Sequence, residues 1–280
     1  MAAVVAAVGG ESRPSQQQMA EAVAAAITRK SHLLVQAGTG TGKSVAYIVP
    51  ALLHAVQQNT CVVVSTATLA LQQQLVGRDL PRIAAALTPI LGREPVFAVA
   101  KGRHHYICKL RLNTSPVVED DADEQAVLFK SPTTALGKEV KRVRTWAHTT
   151  DTGDREELEP SPDPRVWGAL SVSGNECIGA AKCRFGDECF AEKVRAQAQA
   201  ADLVVTNHAM LVINKLDQIP LLPEHSVVIV DEGHELSDWA TNSATHSLSP
   251  WMLDAAARKV RKAVGEELAL DLDEASTSLR

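Results

Sequence analysis

Several features are scarce in this 280-residue chain, and each scarcity narrows what the chain can be. No run of about 18 apolar residues occurs, so no membrane-spanning helix is expected. The opening residues MAAVVAAVGG carry no positively charged region and no cleavage context. They read as a leading helix rather than an export signal. Without such a signal a reducing cytoplasm is the expected compartment, and the five cysteines do not read as a disulfide framework. Positive charge is not in excess. The net charge of −5 excludes a uniformly basic nucleic-acid coat but leaves local basic patches open. Aromatic residues make up 4%, so Ala and Val carry much of the 45% hydrophobic content. No internal repeat is visible.

What is present is an alternation of strand and helix signals. HLLVQA predicts a short strand ending at Ala37, and SVAYIVPALLHAVQQ predicts a helix that Pro50 should kink or cut. CVVVST (Cys61–Thr66) is a β-branched run of the kind buried in parallel sheets. LALQQQLV reads as helix and PVFAVAKG (Pro95–Gly102) as a strand. DLVVTN (Asp202–Asn207) and SVVIVDEGH (Ser226–His234) resume the strand pattern. This predicts an α/β doubly wound core. Residues 103–199 break the pattern and read as an insertion. That block holds the acidic run Glu119–Glu124, a basic helical piece KEVKRVRTWAHTT and an acidic, Pro-rich loop at Asp151–Arg165. From residue 250 onward WMLDAAARKVRKAVGEELAL has helical periodicity.

Two motifs carry chemistry. AGTGTGKS (Ala37, Gly38, Thr39, Gly40, Thr41, Gly42, Lys43, Ser44) lies between a strand signal and a helix signal. That is the setting of a phosphate-binding loop, where glycines let backbone N–H groups approach the anion. Lys43 is placed to reach the β and γ phosphates and Ser44 to ligate Mg²⁺. The strict pattern opens with Gly, and Ala37 stands there. VVIVDEGH ends a buried strand in two adjacent carboxylates. Asp231 suits an Mg²⁺ ligand, and Glu232 suits a group that positions the attacking water. Together they predict a nucleoside triphosphatase.

Two further stretches are ambiguous on the residues alone. RPSQQQM (Arg13–Met19) is a polar lead-in to a helix with Ser15 as a candidate N-cap. In STATLALQQQL (Ser65–Leu75), Thr66 and Thr68 could contact a ligand or cap a helix. Asn207 reads as a cap for the helix after it.

Cys61 lies in an apolar strand and reads as a core thiol. Cys108, Cys177, Cys183 and Cys189 all fall in the inserted block. Four thiolates suit a [4Fe–4S] cluster, and zinc also takes four. Structural zinc sites favour paired C-x₂₋₄-C knuckles, whereas these cysteines are separated by five residues, then five, with one distant partner. That disfavours zinc without excluding it. Lys101, Arg103, His104, His105, Tyr106 and Lys109 give the block a basic, aromatic-bearing surface of the kind that tracks phosphates and stacks on bases.

In combination these motifs resemble superfamily 2 helicases of the DEAH type, and more narrowly the DinG/XPD branch. Gly233 replaces the usual Ala of the Asp-Glu-Ala-His motif, a small-for-small change. By resemblance RPSQQQM is the element that reads adenine, with Gln16 on the base edge, and Thr66 and Thr68 touch single-stranded DNA. KGRHHYIC is similar to the segment that supplies the first cluster ligand, Cys108. CIGAAKCRFGDECF is similar to the segment that supplies the other three. The resemblance covers about residues 10–240.

It implies a RecA-like domain with a parallel sheet and helices on both faces, in two parts (1–102 and 200–240). Between them it implies an inserted iron–sulfur domain (103–199), and after them the start of an arch-type helical insertion (241–280). It also implies ATP, Mg²⁺ and a [4Fe–4S] cluster as cofactors. The partner would be single-stranded or forked DNA, with 5′ to 3′ movement in repair or replication by a monomer in the cytoplasm, and Arg103 and Tyr106 among the DNA contacts. After Glu232 no second phosphate-side motif and no arginine-finger context follow. The chain alone is therefore expected to hydrolyse ATP poorly, or to act as a nucleotide- or DNA-binding module. Another phosphate-loop enzyme, such as a kinase with a zinc-stabilised insertion, is disfavoured by RPSQQQM and DEGH.

Overall fold

The structure is a computed structural model that describes residues 2–7, 13–38, 41–114, 135–216, 221–245 and 247–280. The acidic run Glu119–Glu124 and the loop residues Thr39 and Gly40 lie outside them. Residues through Leu236 form one compact unit and Ser237–Arg280 a second.

In chain order the first unit contains α1 (Ala2–Ala7), α2 (Pro14–Arg29), α3 (Lys43–Gln58), β1 (Val62–Thr66) and α4 (Leu69–Gln74). A π-helical turn, Leu75–Asp79, leads into α5 (Leu80–Leu91), followed by β2 (Phe97–Val99). Next come α6 (Lys109–Thr114), α7 (Ala135–Ala147), α8 (Pro164–Leu170) and α9 (Phe190–Gln199). The unit closes with β3 (Leu203–Asn207), α10 (His208–Leu216) and β4 (Val227–Val230). The helix α11 (Leu236–Ala244) leads into the second unit, which holds α12 (Pro250–Ala263) and α13 (Glu266–Leu279).

The four strands form one parallel sheet in the order β2-β3-β1-β4. In β1, Val62 and Val64 face one side, where they pack with Val23, Ile48, Leu52, Ile83 and Leu87 of α2, α3 and α5. Cys61 and Val63 face the other side, with Ala198 of α9 and Leu211 of α10. Helices therefore cover both faces, as the β-branched runs predict. Burying each Val or Leu contributes about 1.5–3 kcal/mol, so this two-sided packing is the main stabilising term. Cys61 is buried, which pushes its thiol up to about 11 and leaves it an inert core group.

One expected strand does not form. Residues 31–38 have no strand assignment, and Leu34 is 99% exposed. Local β propensity does not supply the neighbouring strand that would satisfy the backbone, and among the described residues the outer edge of β4 is unpaired. Pro50 does not interrupt α3, which runs unbroken from Lys43 to Gln58. Ala46, Ile48, Ala51 and Leu52 are all completely buried, and that packing outweighs the lost hydrogen bond. Ser15 is not an N-cap, because α2 starts one residue earlier with Pro14 in its first turn and Arg13 as the cap. The helical stretch after residue 250 is two helices, separated at Gly265, where φ is +121°. In the second unit Arg261 pairs with Asp273 at 2.6 Å and Arg280 with Asp254 at 2.7 Å.

Between β2 and β3 the chain builds a separate apolar cluster from Tyr106, Ile107, Leu112, Val143, Val166, Trp167, Leu170 and Phe190. The acidic loop before α8 is pinned. Lys101 Nζ donates to Asp154 Oδ2 and Glu156 Oε2, both at 2.6 Å, and Gln73 of α4 also donates to Glu156, at 2.7 Å.

The sheet is stapled at one end by Asp202. Its carboxylate accepts both Arg93 guanidinium nitrogens (2.6 and 2.7 Å) and the Val96 N–H (2.8 Å). Burial pushes its pKa up, but Arg93 and the Val96 N–H outweigh that and hold it below the usual carboxylate range. A lowered folded pKa means the stabilisation is present above the unfolded value of about 3.9 and is lost as pH falls through the folded one. Asp202→Ala should cost about 1–3 kcal/mol at neutral pH. Urea midpoints measured from pH 7 to pH 3 should fall less steeply for the variant than for the native chain.

Candidate nucleotide and metal sites

The carboxyl ends of β1 and β4 meet the N-terminus of α3. This is the edge of an open α/β sheet where ligands bind. Gly42 sits at φ +77° immediately before α3. That left-handed φ favours glycine, and a Cβ there would in addition displace the Gln16 amide, 2.1 Å away. Gln16 is buried, and its amide donates to the Gly42 carbonyl at 3.1 Å. The Thr41 hydroxyl donates to the Gly38 carbonyl at 2.9 Å. Gly38 is exposed.

Lys43 Nζ is 2.6 Å from Glu232 Oε1, although 189 residues separate them. The pair shifts both groups in the direction that keeps them charged: the hydrogen bond raises Lys43 and lowers Glu232. Asp231 is held from three directions. Its N–H donates to the Ser65 carbonyl of β1 (2.8 Å), its Oδ1 accepts the Glu232 N–H (3.2 Å), and its Oδ2 accepts the Tyr47 hydroxyl (3.2 Å). Glu232 lies at φ +55°, ψ +45°, a left-handed conformation that costs a residue with a Cβ of the order of 1–2 kcal/mol. His234 is 74% exposed, with Nδ1 3.7 Å from Glu232 Oε2.

Two residues of this edge escaped the sequence reading. Tyr47 is buried on α3, one turn past Ser44; burial and the Asp231 carboxylate raise its pKa, so it stays a donor. Its signal was helical spacing from Lys43 and Ser44. His208, first in α10, is completely buried. Its Nδ1 pairs with Ser65 Oγ at 2.7 Å, and its Nε2 has no hydrogen-bond partner among the described residues. Only the fold brings His208 to β1. Asn207 caps α10 by accepting the Met210 N–H at 2.8 Å, the role its position suggested.

Of the four residues expected from resemblance to touch DNA, Thr66 and Tyr106 are buried, Thr68 is exposed and Arg103 is partly exposed. Thr66 is buried, with its hydroxyl turned to the Thr68 and Thr206 carbonyls. Thr68 caps α4 by accepting the Leu71 N–H at 3.2 Å. Tyr106 is buried, and Arg103 pairs with Glu192. Lys101 and Lys109 are matched by carboxylates as well, which reduces the positive field the block shows to solvent.

All four cysteines of the block, Cys108, Cys177, Cys183 and Cys189, line one cavity, together with Arg103, Ile107, Ile178 and Phe185. Cys108 opens α6 and Cys189 caps α9. Cys183, Gly186 and Cys189 are linked by successive i to i+3 hydrogen bonds, and the Cys183 N–H itself donates to the Ala180 carbonyl (3.1 Å). A Cβ on Gly186 would meet the Ala180 carbonyl oxygen at 2.4 Å, so this winding is tight. Among the described residues no group of His, Cys, Asp and Glu is arranged to hold a metal ion. A single ion needs donors converging within about 2.3 Å of one point, whereas a four-iron cluster spreads one thiolate to each iron. Four free thiols around one apolar-walled cavity fit the larger group.

A parallel α/β domain with a phosphate loop facing an acid pair defines a RecA-like nucleoside-triphosphate fold. The model for DEAD/DEAH box helicases matches residues 13–97, and the DEAD_2 model matches residues 182–253. The ATP-dependent helicase DinG of Mycobacterium tuberculosis is 48% identical over 281 residues, which cover 99% of this chain and 42% of that protein. The ATP-dependent DNA helicase YoaA of Escherichia coli K12 is 35% identical, over 93% of this chain and 39% of its own length. The ATP-dependent DNA helicase DinG of E. coli K12 is 31% identical over 85% and 34%. The chain thus spans less than half the length of these relatives. It belongs to the DinG family of helicases and corresponds to the N-terminal portion of its members.

Proposed function

We propose that this chain forms the ATP-binding half of an ATP-dependent DNA helicase motor that moves 5′ to 3′ on single-stranded or forked DNA in repair or replication. The observation that carries this reading is the 2.6 Å contact of Lys43 with Glu232, which brings the two motifs to one edge of the sheet. In this reading Ala37 to Ser44 wrap the phosphates through backbone N–H groups, and Lys43 leaves Glu232 to reach the β and γ phosphates. Ser44 and Asp231 hold Mg²⁺, which neutralises phosphate charge when bound. Glu232, released from Lys43, orients the attacking water and accepts its proton. Gln16, already packed on the loop, reads the adenine edge.

The same reading gives residues 1–102 and 200–240 to the motor domain, 103–199 to an iron–sulfur domain, and 241–280 to the start of a helical insertion. Cys108, Cys177, Cys183 and Cys189 hold the [4Fe–4S] cluster, which braces the inserted block. In this reading Thr68 and Arg103 stand beside the DNA path, and the buried Thr66 and Tyr106 support it from beneath. We assign the protein to the cytoplasm as a monomer. No helix among the described residues is long and apolar enough to cross a membrane.

The test is a titration of the chain with fluorescent ATP and GTP analogues, with Mg²⁺ and with EDTA. Mg²⁺-dependent binding with preference for ATP, weakened by Gln16→Ala, is the expected result. Equal binding of both nucleotides, unaffected by Gln16→Ala, would remove the adenine-reading role. No binding of either would remove the nucleotide site.

A further inference from the structure

We propose that Tyr47 is a positioning residue for the magnesium site, holding the Asp231 carboxylate in the orientation in which it meets the cation. The proposal rests on the ATP reading above, because the metal arrives with the nucleotide.

The geometry is specific. Ser44 and Tyr47 are three residues apart on α3 and so share a face of that helix. The Tyr47 ring is embedded in the main apolar core beside Ile48 and Leu52, and the residue is 3% exposed. Its hydroxyl group crosses to β4 and donates to Asp231 Oδ2 at 3.2 Å. The phenol therefore ties the helix that carries Ser44 to the carboxylate of Asp231, the two residues proposed to ligate Mg²⁺ from motifs nearly 190 residues apart in sequence.

The second Asp231 oxygen, Oδ1, is held by the Glu232 N–H at 3.2 Å. With one donor on each oxygen the carboxylate is fixed about its terminal torsion, which is otherwise broad and soft. Each oxygen keeps lone pairs free for a cation. A phenylalanine would fill the same core space without holding Asp231. The hydroxyl is thus the part of Tyr47 that packing does not require. Outer-shell partners of metal ligands characteristically tune metal affinity by 10- to 100-fold.

The experiment uses the 280-residue chain and its Tyr47→Phe, Asp231→Asn and doubly substituted forms. The affinity for a fluorescent ATP analogue is measured in EDTA and across a Mg²⁺ titration. The expected result is an unchanged affinity in EDTA for Tyr47→Phe, with a Mg²⁺ midpoint raised roughly tenfold. In the Asp231→Asn background the same change should have no further effect, because its target is gone. A Mg²⁺ midpoint equal to wild type overturns the proposal. So does a loss of EDTA affinity accompanied by a lower melting temperature, which marks a purely structural role. Failure of the wild-type chain to bind the analogue at all sinks the ATP reading itself and this proposal with it, a result distinct from either of the other two.

Discussion

Lys43→Ala should bind MgATP about 10- to 100-fold more weakly than the native chain, whereas Glu232→Gln should bind it more tightly. The first figure follows from losing charge-assisted hydrogen bonds to phosphate, at about 1.5–3 kcal/mol. The opposite sign for Glu232 follows from the structure. Its carboxylate holds the Lys43 ammonium at 2.6 Å, so phosphate must displace it before Lys43 can engage. Both side chains are partly exposed, at 23% and 32%, and such a pair contributes about 0.2–1 kcal/mol, so the gain is at most about fivefold. Hydrolysis moves the other way. If Glu232 orients the water and takes its proton, turnover in Glu232→Gln should fall about 10²- to 10⁴-fold even as affinity rises. Isothermal titration with a slowly hydrolysed analogue, alongside a phosphate-release assay, separates the two effects. Weaker nucleotide binding by Glu232→Gln would show that the ion pair is not a competitor of phosphate.

The second large effect concerns the cysteines. Purified without oxygen, the chain should be brown and carry about four irons. Cys183→Ser should lose most of that iron together with the visible absorbance. The structural consequence should be confined. The cluster of Tyr106, Val143, Val166, Trp167 and Leu170 is an apolar core that needs no metal. Residues 173–189, by contrast, contain one short 3₁₀ turn and local hydrogen bonds, and outside the cysteines their ties to α6 are the surface pairs Lys109–Glu188 and Arg111–Glu176. Iron removal should therefore open that stretch to protease while α7 and α8 stay protected. Stoichiometric zinc in a colourless protein would overturn the cluster.

Much of this was legible in the sequence because it was local. The β-branched runs became β1, β3 and β4; in β1 and β3 the strand is buried on both faces and so needs apolar residues at nearly every position, whereas β4 is only partly buried. AGTGTGKS and DEGH could be read separately, because glycine content and adjacent carboxylates are chemical signals. What could not be read was whatever needed a distant partner. HLLVQA has strand propensity, yet pairing is a non-local event that propensity does not decide, and among the described residues the edge of β4 stays unpaired. Pro50 looked like a break until the burial of its neighbours was known. Tyr47 and His208 carried no local chemical signal, and their polar atoms acquired meaning only when α3 met β4 and α10 met β1. The count of cysteines suggested a metal, but only the folded block shows all four facing one cavity.

The two borders of the sheet are unequal. β2 is three residues long and offers little backbone for another strand to grip. β4 is the opposite border; Val228 there is 39% exposed, and among the described residues nothing pairs with its outer row of donors and acceptors. Extended backbone of any origin adds most readily to such a row. Leu33, Leu34 and Val35 form an exposed apolar stretch of the same character. Among the described residues the sheet is thus blunt on the β2 side and open on the β4 side, next to the carboxylates that would meet the nucleotide. Whatever strand settles there reaches the site through the backbone of β4, without touching a phosphate or a metal.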